Sequence, residues 1–155
     1  MDKTARTPSR PVWALWLAAF VVLTVGGVIY LAFRQQDMLL FMVSDALGLG
    51  PSIDALRDMM APLRPDVPWV LYALPDGLWT LSSILCMTAL WHPDVRRQRL
   101  WALPIPAVGI GSELLQAIGW MPGVFDVADL LCYLTATLVG YAVMFAFDYL
   151  PPYSR

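Results

Sequence analysis

The stretch Trp13 to Phe33 reads WALWLAAFVVLTVGGVIYLAF and holds 21 residues without one charged side chain. A helix needs about 20 apolar residues to cross the ~30 Å hydrocarbon core of a bilayer. The rest of the chain is similar, because 59% of its 155 residues are hydrophobic and only 14% are charged. An ordinary globular domain is about one-quarter charged. The composition therefore argues against a soluble domain and against a disordered chain, and it predicts an integral membrane protein.

Three further runs are long and apolar enough to cross a bilayer, at about residues 69–91, 100–119 and 127–147. Only helices and closed barrels satisfy their backbone hydrogen bonds in lipid, and no alternating strand pattern is visible. The sequence therefore predicts an all-α, integral membrane four-helix bundle with its first span at about 13–33. The whole chain, residues 1–155, is predicted to be a single membrane domain.

Positive residues are unevenly distributed among the segments that connect the predicted spans. Three stand in the N-terminal tail, three in the turn after the second span and one in the C-terminal tail: Lys3, Arg6, Arg10, Arg96, Arg97, Arg99 and Arg155. Segments rich in Lys and Arg stay in the cytoplasm. Both termini are therefore predicted to be cytoplasmic, and the loop 34–68 is predicted to be extracytoplasmic.

The predicted outer loop contains two candidate interfacial helices. Met38 to Leu47 is nearly all apolar, and Ser52 is a candidate N-cap for a second helix. The apolar face of this second helix would consist of Ile53, Leu56, Met60 and Leu63. Such helices lie on the outer leaflet or pack on the bundle, and the sequence leaves both alternatives open.

Four carboxylates lie within or beside the predicted spans, all in the outer half of the bundle: Asp76, Glu113, Asp126 and Asp129. A charged side chain in the hydrocarbon region costs about 2.5–3.5 kcal/mol on insertion scales, so such residues are functional candidates by default. The inner half of the predicted spans holds no carboxylate. We therefore expect a single polar site near the outer surface, formed by helices that are distant in sequence.

Structural roles compete with this hypothesis. Asp126 followed by Asp129 is typical of a helix N-terminus, where side-chain oxygens accept hydrogen bonds from free backbone N–H groups. Asp76 follows a proline and is also consistent with a helix start. Glu113 stands in mid-helix among apolar neighbours, so its structural alternative is an interhelical hydrogen bond. His92 lies in a charged turn and is predicted to be inert.

The stretch Ser112 to Gly140 reads SELLQAIGWMPGVFDVADLLCYLTATLVG. It resembles the VanZ-like family, whose pattern joins an E-x-x-Q or E-x-x-x-Q helix to a P-G turn. A helix that opens with D-x-x-D and ends in glycines follows in that pattern. The matching positions are Glu113, Gln116, Pro122, Gly123, Asp126, Asp129 and Gly140. The sequence departs from the pattern with Val124, Tyr133 and Ala136, where the family usually has Arg, Asn and Gly. It also lacks the His that is frequent in the second span of the family.

The resemblance implies a multi-pass protein of the bacterial inner membrane that acts in the cell envelope. The family is linked through its namesake to resistance to the antibiotic teicoplanin, and no reaction is established for it. Within this region, Glu113 and Asp129 are candidates for catalysis, because partly buried carboxylates can act as general acids or bases. The candidates for ligand binding are Asp76, Ser112, Gln116, Asp126 and Tyr133.

Three classes of function are compatible with these features. In the first, the carboxylates engage a lipid-linked or amphiphilic ligand at the outer leaflet. No cofactor is evident, although Glu113, Asp126 and Asp129 could hold a divalent cation. In the second, the chain is a non-enzymatic accessory or scaffold subunit. An ion- or proton-coupled transporter ranks lowest, because the inner half lacks ionisable residues and no inverted repeat is present. Membrane lipids are the expected partners, and the net charge of −2 argues against nucleic acid.

Overall fold

The computed structural model describes residues 11–36 and 39–149, and in these residues it contains helices but no strand. The eight α-helices are α1 (Val12–Phe33), α2 (Leu39–Ala46), α3 (Gly50–Met60), α4 (Pro68–Tyr72), α5 (Leu74–Leu90), α6 (Val95–Ala102), α7 (Pro104–Ala117) and α8 (Val127–Tyr149). A short 3-10 turn, Ala61–Leu63, follows α3. The all-α prediction is therefore confirmed.

Two helices are long and apolar enough to cross a membrane, namely Val12–Phe33 and Val127–Asp148. Each has 22 residues, which corresponds to about 33 Å at a rise of 1.5 Å per residue. By length and composition these two helices support membrane association. They begin and end close to the predicted limits of the first and fourth spans.

The other two predicted spans are not single helices. The region 69–91 is divided at Ala73 between α4 and α5. Pro75, near the start of α5, has no N–H with which to continue the hydrogen bonds of a preceding helix. The region 100–119 is divided at Leu103 between α6 and α7, with Pro104 at the start of α7. The 14 residues of α7 give a helix of about 21 Å, which is shorter than the hydrocarbon core of a bilayer.

Helix α5 is the centre of the bundle, with α1 and α8 packed along it and α7 packed on α8. Small residues allow this close approach. A Cβ atom added at Gly77 would lie 3.1 Å from Cys132, and one added at Gly140 would lie 2.8 Å from Ile84. The Ser82 hydroxyl also donates a 2.9 Å hydrogen bond to the carbonyl of Ala19 and so links α5 to α1. These contacts fix the relative positions of the helices that carry the candidate site.

The loop after α1 folds back onto the bundle. Arg57 on α3 donates hydrogen bonds of 2.9 Å to the carbonyls of Leu31 and Arg34 at the end of α1, and Ile53 is buried. Packing on the bundle is therefore the alternative that the structure favours. The predicted N-cap role of Ser52 is wrong, because α3 begins at Gly50 and Ser52 lies inside its first turn. Met38 lies outside the described residues.

Candidate functional site

The four predicted carboxylates lie at one end of the bundle, which we call the acid end. At this end α5 and α8 begin and α7 terminates. Asp76 is in the first turn of α5, and Glu113 is in the last part of α7. Asp126 immediately precedes α8, and Asp129 is in the first turn of that helix. Three helices that are distant in sequence therefore bring their acids to the same end.

Glu113 and Asp126 share a hydrogen bond that joins two helices. Glu113 is 6% exposed, and its Oε2 accepts a 3.2 Å hydrogen bond from the backbone N–H of Asp126. The carboxylate of Asp126 accepts a 2.7 Å hydrogen bond from the N–H of Ala128. Since α8 begins at residue 127, this is the geometry of an N-cap. The capping interpretation of Asp126 is confirmed, and Glu113 has the interhelical role that was its structural alternative.

Asp129 does not have the capping role that its position suggests. In a capping box, the acid three residues after the N-cap accepts a hydrogen bond from the backbone N–H of the N-cap residue. Here Glu113, from a different helix, already accepts that hydrogen bond. Asp129 Oδ1 is buried and has no hydrogen-bond partner among residues 11–36 and 39–149. Because an unsatisfied buried acceptor costs about 1–3 kcal/mol, this oxygen is the atom of the site best placed to accept a hydrogen bond from a bound group.

The charges at the acid end act on one another. Asp129 is repelled by Asp126, Glu113 and Asp76 and is attracted by Arg34. Asp76 is likewise repelled by Glu113 and attracted by Arg34. These interactions place the four carboxylates and one guanidinium in a common electrostatic environment, in which the negative charges outnumber the positive one.

Arg34 is a member of the site that the sequence analysis did not identify. Its guanidinium donates a 2.9 Å hydrogen bond to the carbonyl of Tyr72. It also lies 5.5 Å from the ring centroid of Tyr30 and 5.2 Å from that of Tyr72, within the range of cation–π attraction. In the sequence Arg34 reads as the first charge after a span. The sequence did contain a signal for Arg34, because several acids on one side of the bundle require a positive side chain at the same depth to balance part of their charge.

The remaining predicted site residues differ in their contacts. The hydroxyl of Ser112 donates a 2.8 Å hydrogen bond to the carbonyl of Gly109, so its proton is used within its own helix. The ring of Tyr133 lies against Gly109, where an added Cβ would come within 2.6 Å of it. Tyr133 also interacts electrostatically with Asp76, Asp129 and Glu113. It therefore belongs to the site, whereas Ser112 serves its own helix.

Gln116 supports the turn between α7 and α8. Gly123 has a φ of +134°, which favours glycine. A Cβ atom at Gly123 would lie 2.7 Å from Gln116 Nε2, so the amide of Gln116 packs directly against the backbone of the turn. Gln116 is therefore placed to orient the turn that leads to Asp126.

Neither a metal cluster nor the main apolar cavity coincides with the acids. Within the part of the chain that the structure describes, no three His, Cys, Asp or Glu side chains form a group that could hold a metal ion. A cavity of about 490 Å³ lies between α5 and α8, where its walls include Leu78, Leu81, Leu131 and Val139. None of the four acids lines this cavity. The predicted divalent cation thus gains no structural support and stays a prediction.

The opposite end of the bundle holds an acid that the sequence analysis overlooked. The side chain of Asp148, near the end of α8, is only 2% exposed, and its Oδ1 lies 3.6 Å from Nδ1 of His92. Gln98 is fully buried beside it and donates a 2.9 Å hydrogen bond to the carbonyl of Thr88. Asp148 lies one residue beyond the predicted fourth span, so the inner half of the predicted spans still holds no carboxylate, although this buried acid lies directly at the end of the last one. The same contact shows that His92 is part of a polar cluster.

The predicted orientation in the membrane rests largely on residues outside the described part of the chain, namely Lys3, Arg6, Arg10 and Arg155. Arg96, Arg97 and Arg99 are described and lie on α6, and Arg99 lines a cavity together with Asp148, at the end of the bundle opposite the acids. Comparison of the chain with models of known protein families, with curated proteins and with solved structures finds no match.

Proposed function

We propose that the chain is a four-span protein of the bacterial inner membrane, similar to the VanZ-like family, with both termini in the cytoplasm. In this proposal the acid end faces outward and engages the polar part of a lipid-linked or amphiphilic ligand of the cell envelope. The observation that carries the proposal is the buried, unpartnered Oδ1 of Asp129 among acids from three helices.

The exposed surfaces of three helices support placing this bundle in a membrane. Large apolar side chains are exposed along α1, α7 and α8, as shown by Phe20, Val108 and Leu138 at 66%, 72% and 72% exposure. Contiguous exposed apolar surfaces of this kind mark contacts with other proteins or with lipid. Placing these faces in lipid also explains why α7, although short, exposes apolar residues on its outer side.

Asp129, Glu113 and Arg34 have different roles in the proposed site. Glu113 is a positioning residue, because its carboxylate already holds the backbone at the start of α8. Asp129 is the acceptor that receives a hydrogen bond or a proton from a hydroxyl or amino group of the ligand. Arg34 balances part of the negative charge, because it attracts Asp76 and Asp129.

The proposal is tested with the full chain purified in mild detergent and incubated with a bacterial lipid extract. Amphiphiles that remain bound are identified by mass spectrometry. Asparagine keeps an accepting oxygen at this position, but a neutral amide makes a weaker hydrogen bond than a carboxylate and cannot take a proton. We therefore expect Asp129→Asn to retain about tenfold less of the enriched amphiphile than the wild type, which corresponds to about 1.4 kcal/mol. Asp58→Asn, an exposed change on α3, serves as the matched control. Equal retention by Asp129→Asn and the wild type would refute the proposed site.

A second candidate function, the accessory or scaffold subunit, is favoured by one specific observation. The contacts of Glu113, Asp126 and Ser112 are all structural. If the acids serve only to hold helices, Asp129→Asn should leave ligand retention unchanged, and no amphiphile should be enriched by the wild type. The transporter alternative stays a prediction, and the buried Asp148 lies at the opposite end, just beyond the last predicted span.

A further inference from the structure

A second cavity lies away from the acids, between the last turns of α1 and the helices α2 and α3. Its volume is about 420 Å³, and its walls include Gly27, Leu31, Ile53 and Leu56, with Trp79 of α5 beside them. Pockets that hold small molecules measure about 300–1,000 Å³ and are mostly apolar. This cavity therefore has the size and the wall chemistry of a site for a hydrocarbon chain.

Aromatic residues connect this cavity to the arginines at the same end of the molecule. Tyr30 and Trp79 both line the cavity, and their ring centroids are 5.0 Å apart. The guanidinium of Arg34 lies over the ring of Tyr30. The indole Nε1 of Trp79 is buried and has no hydrogen-bond partner in the described part of the chain. The indole N–H of Trp79 is therefore a hydrogen-bond donor without an acceptor beside this apolar cavity.

Arg57 provides a positive charge next to the cavity. It follows the lining residue Leu56, and its Nη1 donates to the carbonyl of Leu31, which is another lining residue. Within residues 11–36 and 39–149, Arg97 pairs with Asp94, whereas neither Arg34 nor Arg57 lies within ion-pair distance of a carboxylate. Guanidinium groups have five N–H donors in a geometry that matches phosphate. Donors of Arg57 beyond Nη1 therefore stay available for an anion.

The geometry points to a binding site for an anionic phospholipid of the surrounding bilayer, with one acyl chain in this cavity and the phosphate against Arg57. Charge complementarity selects this occupant, because an apolar cavity beside a guanidinium group fits a chain attached to an anionic headgroup. The inference rests on the proposed function only for the placement in a membrane. It uses the cavity and Arg57 rather than the carboxylates.

The chain offers a matched pair of glycines for a test. A Cβ atom at Gly27 meets nothing within 4 Å, and Gly27 lines the cavity, so Gly27→Leu places a side chain inside it without a backbone clash. A Cβ atom at Gly111 on α7 likewise meets nothing within 4 Å. Gly111→Leu therefore adds the same side chain to a helix away from the cavity. Both changes replace glycine by a better helix former.

Native mass spectrometry of the full chain in detergent would measure binding of phosphatidylglycerol and of phosphatidylcholine with identical acyl chains. We expect the wild type to prefer phosphatidylglycerol. We also expect Gly27→Leu to weaken that binding about tenfold, and Gly111→Leu to bind like the wild type. Arg57→Gln should abolish the preference for the anionic headgroup, while Arg64→Gln, at an exposed position, should keep it.

Unchanged binding by Gly27→Leu, or equal weakening by Gly111→Leu, would overturn the inference. Competition by inorganic phosphate as strong as that by phosphatidylglycerol would also overturn it, because the acyl chain would then contribute nothing. Extraction of the wild type from bacterial membranes by alkaline carbonate would instead refute the membrane placement, which belongs to the proposed function. The two failures are therefore distinguishable.

Discussion

Replacing Glu113 by alanine should loosen the start of α8. The change removes the buried oxygen that accepts the 3.2 Å hydrogen bond from the N–H of Asp126, and this part-buried N–H loses its acceptor. A hydrogen bond to a charged group contributes about 1.5–3 kcal/mol. For a chain of 155 residues, each kcal/mol shifts the melting temperature by about 2–4 °C. We therefore expect Glu113→Ala to melt about 3–12 °C below the wild type.

The assay is thermal unfolding of the full chain in detergent, followed by circular dichroism. Glu113→Gln is the matched control, because glutamine has a similar shape and keeps a carbonyl oxygen that can accept the same hydrogen bond. Its melting temperature should lie closer to that of the wild type than to that of Glu113→Ala. If Glu113→Ala melts like the wild type, the hydrogen bond does not stabilise the junction of α7 and α8, and the positioning role of Glu113 is refuted.

Two further stability measurements test the packing and the helix ends. Gly140→Ala should destabilise the bundle by about 1–3 kcal/mol, because the new Cβ would lie 2.8 Å from the fully buried Ile84. Gly111→Ala is the control, because its new Cβ meets open space. A neutral Gly140→Ala would show that α5 and α8 are not in close contact. Asp126→Ala should cost about 1 kcal/mol through loss of the N-cap, whereas Ser52→Ala should change stability by less than about 0.5 kcal/mol. A larger effect of Ser52→Ala would restore its capping role.

The helical class and the limits of α1 and α8 were predictable, because they depend on the composition of continuous segments. Val12–Phe33 is an uninterrupted apolar run, and Val127–Asp148 is apolar apart from Asp129 and its last residue, so hydropathy alone indicates where they begin and end. The division of the middle spans at Ala73 and Leu103 was less predictable. A proline is compatible with the first turn of a new helix as well as with a kink, and the packing around it decides between them.

The residues that form the site at the acid end were predictable only in part. Asp76, Glu113 and Asp129 stand out because each interrupts an apolar run. The different roles of Glu113 and Asp129 were not predictable, because they depend on which of the two carboxylates is nearer to the backbone N–H of Asp126. Arg34 was missed since its electrostatic attraction to Asp76 and Asp129 depends on how α1 packs against α5. Asp148 was missed because the apolar run ends at the preceding residue.

The hydrogen bond from Asp126 to Glu113 has a consequence for biogenesis. The first turn of α8 obtains one of its caps from α7 rather than from its own side chains, so the local sequence alone does not complete the start of this helix. If the protein is placed in a membrane as proposed, the two segments should consequently enter the bilayer together as a helical hairpin. A ribosome-bound chain that ends within α8 would acquire a fixed helix start only after α7 has docked beside it.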